Sequence, residues 1–238
     1  ESQGSIGTKT NMYDDQSRLD LGQLNIERGS YSAAFDIFYG LAKDRASEDA
    51  LYALTKMCFD GRLNPEQINT LFTLQNSNSS LGNGYAHFNV GLMFERGMGD
   101  VKQDYKTAVE YYEKAIKEEV LDAYCNLGNI YILGTGIAHG VIPNQEKGIA
   151  LLKKGAEEGS RQAAFTLGSL YATGDIIEQD LKQGYLYLTL AAFAKHDQAK
   201  RVLLIFEHAH PGNYREEFDT AQQQYWKIET MRRLYKCV

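Results

Sequence analysis

The residues able to do chemistry are few and poorly spaced for it. Glu207, His208 and His210 sit together in FEHAHPGN, with His196 one helix earlier, and these residue types could ligate a divalent metal. Two histidines ligate from one helix when they are four residues apart, as in H-E-x-x-H, because only then do both rings share a face. His208 and His210 are two apart, so they read as surface histidines. Cys58, Cys125 and Cys237 show no C-x-x-C pairing, and an odd number cannot close completely into internal disulfides. They read as structural thiols that pack like small hydrophobes. The glycine-rich GTGIAHG at 134–140 superficially resembles a dinucleotide loop, but it follows a helical pattern rather than a strand and lacks the G-x-G-x-x-G spacing. No G-x-S-x-G elbow and no Cys–His signature is present. The sequence therefore assigns no catalytic residue, no cofactor and no metal ligand.

With chemistry set aside, composition bears on partners. The net charge is −6 and the pI near 5.4, which argues against a nucleic-acid partner, since phosphate binding needs a basic face. The most apolar run, Leu186–Ala194, is far short of the roughly 18 residues that span a bilayer. The longer uncharged stretch Ala123–Gln145 is broken by Asn, Gly, Thr, His and Pro. The chain opens at Glu1 rather than Met, as either a processed export signal or a trimmed fragment would leave it.

Three stretches share one layout: NVGLMFERGMG, NLGNIYILGTG and TLGSLYATGDI. Their glycines Gly91, Gly128 and Gly168 recur at intervals of 37 and 40 residues, the signature of a helical repeat. Ala86, Ala123 and Ala163 precede them by five residues, and Phe94, Tyr131 and Tyr171 follow by three, so one helical face is repeated. A glycine inside a helix costs about 1 kcal/mol relative to Ala, so three at one register need a packing reason: the close approach of a second helix. Gly97, Gly134 and Gly174 then end the first helix in left-handed geometry. After Val101, Val141 or Ile177, an N-cap (Asp104, Asn144, Asp180) opens a second helix. That helix is expected to bury Ala108/Gly148/Gly184, Tyr111/Leu151/Tyr187 and Ala115/Gly155/Ala191. Tyr111, Tyr112 and the other tyrosines read as packing aromatics rather than platforms for stacked bases. Asn64-Pro65 with Gln67, and Asn213 with Glu216, read as capping boxes.

These features resemble Sel1-like repeats, relatives of the tetratricopeptide repeat. The resemblance is firm over Gly84–Lys195, in three consecutive units. It is looser at ALYALTKMCFDG, where Thr55 replaces the crossing glycine and Cys58 the aromatic, and looser still around Leu21-Gly22, Tyr31 and Ala34. Downstream, GYLYLTLAAFAKHDQAKRVL is similar to the family's closing unit. It runs into a long terminal helix over Asn213–Cys237, with Tyr214, Phe218, Ala221, Tyr225, Ile228 and Tyr235 on one stripe as a cap. The resemblance implies an all-α, right-handed α-solenoid of about five helix pairs plus a capping helix. The expected organisation is a polar lead over 1–12, degenerate units over 13–83, clear repeats over 84–195, and a terminal half-repeat with the cap over 196–238.

The resemblance further implies a non-enzymatic protein–protein interaction module or adaptor, bacterial and often exported or periplasmic, whose partner is another protein or peptide. Its alternatives are an immunity protein that neutralises a secreted effector, and a glycan- or peptidoglycan-binding or hydrolytic relative. Hydrolytic relatives carry regular cysteine pairs, which this chain lacks. In the family the first helices line the inner face of the solenoid. There Asn89, Asn126, Asn129, Thr166 and Ser169 offer short polar side chains to a partner. The middle repeat also inserts six loop residues, Thr135–Gly140, against three and two in its neighbours, which places Ile137 and His139 on a candidate binding edge.

Overall fold

The structure, a computed structural model, describes residues 12–235, with side chains from Asp14 to Leu234. The lead expected over residues 1–12 (apart from Met12, which opens the first helix), Cys237 and the side chain of Tyr235 lie outside the described residues. Twelve α-helices and no strand are found among them: α1 Met12–Glu27, α2 Tyr31–Arg45, α3 Glu48–Phe59, α4 Pro65–Ser80, α5 Gly84–Arg96, α6 Tyr105–Lys117, α7 Asp122–Leu133, α8 Gln145–Glu157, α9 Arg161–Thr173, α10 Leu181–Phe193, α11 Ala199–Ala209 and α12 Arg215–Tyr235. The fold is the expected α-solenoid of antiparallel helix pairs. It divides into two compact units: residues up to 78 with the 97–102 loop, and residues 79–96 with 103 onward.

Local chemistry sets the helix boundaries. Pro65 opens α4 at the one position where its missing N–H costs nothing. The Asn64 side chain accepts from the Gln67 amide at 2.9 Å while Gln67 Oε1 accepts from the Asn64 amide at 3.0 Å, the reciprocal box expected there. Asp104, Asn144 and Asp180 each cap the following helix through their side-chain oxygens. Gly97, Gly134 and Gly174 end α5, α7 and α9 at φ 64°, 66° and 70°. The Asn213–Glu216 box does not form as expected. Asn213 Oδ1 accepts from the Arg215 amide at 3.2 Å, and α12 starts at Arg215, one residue late for Asn213 to be its cap.

In the first unit, Phe35, Phe38, Leu41, Leu54, Met57 and Leu71 form one core. In the second, a core runs from Cys125 and Leu152 through Leu167, Leu190 and Ala191 to Ala221 and Ile228 on α12. The long last helix packs along α10, with Phe218 and Tyr225 flanking Phe193 at 5.5 and 5.7 Å. It reaches the end of α8, where Arg232 donates to the Gly159 carbonyl at 2.9 Å.

Candidate partner-binding surface

The recurring glycines do lie at helix crossings. A Cβ added at Gly128 would lie 3.0 Å from Leu152 Cγ and 3.1 Å from the Gly148 carbonyl of α8. At Gly168 it would lie 2.7 Å from the Leu188 backbone nitrogen, and at Gly91 2.9 Å from the Tyr112 ring. Gly148 and Gly184 answer from the second helices, facing Ile132 and Ala172. The side chain filling each crossing is one residue later than the sequence indicated. Tyr112, Leu152 and Leu188 are fully buried, while Tyr111 and Leu151 are only partly so; Tyr187 is buried as expected. A stripe read by similarity slips by one residue easily when two neighbouring positions, such as Tyr111 and Tyr112, are both apolar.

Crossings this close leave polar groups to collect on the faces of the first helices. Tyr112 donates its hydroxyl to Glu95 in a short bond, and Asn126 Nδ2 donates to the Tyr112 oxygen at 3.1 Å. Burial, reinforced by the Glu95 carboxylate, holds the Tyr112 phenol far above its usual range, so it stays a donor at every physiological pH. In the next repeat Cys125 Sγ lies 3.4 Å from Thr166 Oγ1, and Asn129 Nδ2 points at the same sulfur at 3.7 Å. Burial pushes the Cys125 thiol up, so it is a packed hydrogen-bonding group rather than a nucleophile. Gln162 ties Thr166 to His196, whose ring stacks on Phe165 at 4.0 Å between centroids.

The expected polar ladder therefore divides. Asn126 and Thr166 occupy the same register of α7 and α9, and each bonds back to the preceding repeat. Their side chains join repeats together. Asn129 shares a register with Ser169, where α5 instead buries Leu92. Asn89, Asn129 and Ser169 are half-buried on this face.

The loop insert divides in the same way. Ile137–His139 forms a single 3-10 turn closed by Gly140 at φ 79°. Ile137 points out, 64 % exposed. His139 turns in: its ring lies 5.5 Å from Tyr105, and its Nδ1 is buried without a hydrogen-bond partner. His139 anchors the loop while Ile137 is presented. Beside it the structure exposes three apolar side chains that the sequence reading passed over: Leu133, Ile142 (81 %) and Ile176. Gln145 Nε2 donates to the Ile176 carbonyl at 2.8 Å, fixing the start of α8 to the loop of the next repeat. The overlooked signal was surplus. Each loop needs one apolar residue for the core, Val141 or Ile177, and Ile142 and Ile176 are second ones alongside.

The remaining chemistry-bearing groups stay apart. His208 is exposed and His210 packs on Phe206 at 5.1 Å. Among the described residues no three His, Cys, Asp or Glu side chains gather as a metal site. Ser79 Oγ lies 2.7 Å from His87 Nδ1, a pair no sequence motif announced. Ser79 is 5 % exposed, sealed from any substrate carbonyl, and burial lowers the His87 pKa, so the pair fastens the end of α4 to α5. No described helix is long and apolar enough to cross a membrane.

The model of the Sel1 repeat family matches residues 84–119, 121–160 and 161–192, the three glycine-bearing helix pairs. A Sel1 repeat protein of Oxalobacter formigenes has a similar structure, with TM-score 0.59 and 20 % identity, covering 88 % of this chain and 84 % of that one. Residues 84–192 are Sel1 repeats. Two further solved structures are alike at lower scores. A Sel1 repeat protein of Klebsiella pneumoniae gives TM-score 0.48 and 19 % identity over 82 % of this chain and 93 % of that one. A protective antigen of uropathogenic Escherichia coli gives 0.40 and 17 % over 93 % and 56 %. At 20 % identity the likeness to the Oxalobacter protein shows the fold alone. No curated protein matches the chain. Sel1 repeats are typically protein–protein interaction modules and generally non-catalytic.

Proposed function

We propose that this Sel1-repeat chain is a non-catalytic adaptor that holds a partner protein or peptide through the loop edge of its middle repeats. The observation that carries this is the apolar edge itself. Ile137, Ile142 and Ile176 stand exposed on two loops and Leu133 at the end of α7, and the Gln145–Ile176 bond ties the start of α8 to the second loop. Exposed apolar groups on a rigid scaffold favour protein contact over solvation, and hot spots are few and central. Ile137 is the anchor. Asn129, one helical turn before Leu133, and Asn89 and Ser169 on the neighbouring first helices supply hydrogen bonds beside it. Asn126, Thr166 and His139 act indirectly, holding the repeats and the loop in position.

The test is capture of a binding partner by immobilised wild-type protein and by Ile137→Asp, with far-UV circular dichroism as the folding control. Ile137→Asp should lower the amount captured by about tenfold with helicity unchanged. Undiminished capture would place the contact elsewhere.

A further inference from the structure

Among the described residues the last first-helix, α11, lacks the partner that every other first-helix of the second unit has. Ala199 aligns with Ala86, Ala123 and Ala163, and all four are fully buried. Five residues on, α5, α7 and α9 carry the crossing glycines Gly91, Gly128 and Gly168, each pressed against its second helix. In α11 that register holds Leu204, 67 % exposed, with Ile205 beside it at 60 %. Among the described residues no second helix crosses there: α12 packs along α10 instead, and Tyr214, just before α12, touches Phe206 of α11. The terminal cap expected from the sequence thus covers α10 and the end of α8 and leaves the outer face of α11 bare.

That face has the pattern of a helix–helix seam. Arg201, Leu204, Ile205 and His208 are all exposed at i, i+3, i+4 and i+7, directly opposite the buried Ala199 and Phe206. Lys200 and Glu207, also exposed, are two turns apart on one flank of the seam. Laid antiparallel on a second α11, each Lys200 faces a Glu207 of the other copy. The helix is therefore complementary to itself in that orientation, as an isologous two-fold interface requires. A leucine where the other repeats need glycine also suits a partner helix at ordinary packing distance rather than the close crossing inside a repeat.

The geometry points to self-association: a second copy of this chain docks on α11, antiparallel, through Leu204 and Ile205 with paired Lys200–Glu207 contacts. One short helix per copy puts the interface at the small end for specific complexes, so the dimer is weak, with Kd on the order of 10–100 μM.

Sedimentation equilibrium over a concentration series reads this directly. The wild-type chain should shift from monomer to dimer as concentration rises, and Leu204→Glu, at an exposed site that leaves the fold intact, should raise Kd by at least about tenfold. Lys200→Glu and Glu207→Lys should each weaken the dimer, and the two together should restore it, an outcome no general loss of folding produces. A chain that stays monomeric throughout overturns the proposal. So does a dimer indifferent to Leu204→Glu, and one abolished by Trp226→Glu on α12 would assign the contact to that helix.

Discussion

The α3–α4 pair of the first unit and the α7–α8 pair of the second solve one packing problem in different ways. In α7–α8 a glycine on each helix faces the other, so that a Cβ on either would meet a backbone carbonyl or a packed aliphatic side chain. In α3–α4 the same register holds Thr55, and the crossing is bridged by a hydrogen bond: the fully buried Gln75 donates Nε2 to Thr55 Oγ1 at 2.8 Å. Thr55 in turn donates to the Leu51 carbonyl at 2.8 Å, while Gln75 Oε1 is buried without a partner. The glycine-crossed pairs α5–α6, α7–α8 and α9–α10 make the most extensive helix contacts of the second unit. What the difference teaches is tolerance. A polar bridge with one unsatisfied atom sits near break-even, because its hydrogen bond offsets a desolvation cost. A backbone-to-backbone crossing has no slack.

The largest expected effect follows from that contrast. Gly128→Leu forces a side chain into the space of Leu152 and the Gly148 carbonyl and should destabilise by about 3 kcal/mol, read as a lowered midpoint in urea. A midpoint equal to wild type would dissolve the comparison. Next in size, Tyr112→Phe removes the hydroxyl that joins Glu95 to Asn126 and should cost about 1–2 kcal/mol, since it leaves a carboxylate and an amide short of a partner. The other side of the comparison is Gln75→Leu, which removes both the bond and the unsatisfied oxygen and should shift stability by no more than about 1 kcal/mol in either direction. A loss as large as that of Gly128→Leu would show the polar bridge to be as demanding as the glycine crossing.

The smallest effects come from pH and from backbone strain. His87 and His196 both have folded pKa values lowered by burial. Between their ordinary 6.5 and those lowered values the unfolded chain binds more protons than the folded one. The stabilisation is therefore complete above the ordinary value and lost as pH falls through that window. The urea midpoint should decline modestly from pH 7.5 toward 5.5, and His87→Asn should flatten part of that slope; an unchanged slope would contradict the burial argument. Finally, Glu119 and Lys195 follow the last turns of α6 and α10 at φ 60° and 59°, where α8 is followed by Gly159 at 105°. Lys195→Gly should be neutral or stabilising by up to about 1 kcal/mol in thermal melts, because a left-handed residue with a Cβ carries strain that glycine relieves.

Helix pairing, caps and crossing glycines were legible in the sequence because each rests on a local rule that spacing reveals: Gly134 after an apolar run, Asn144 before the next, Gly128 at a fixed interval. What was not legible depends on direction. Asn126 and Ile137 are both plain candidates by residue type, yet one bonds inward to Tyr112 and the other stands in solvent. His139 and Ile137 are two residues apart in one turn and point opposite ways. The path of α12 was equally hidden, since its stripe of Ala221 and Ile228 says that it packs but not upon which helix. The Ser79–His87 pair joins the ends of two helices and leaves no periodic trace.

The claim that matters most is that the loop edge around Ile137 receives the partner, and amide hydrogen exchange of the protein alone and in complex tests it most directly. The account predicts slowed exchange at residues 134–142 and 175–178 on binding, with little change over α12. Protection confined to α12, or to the α5 and α9 faces without the loops, would contradict it.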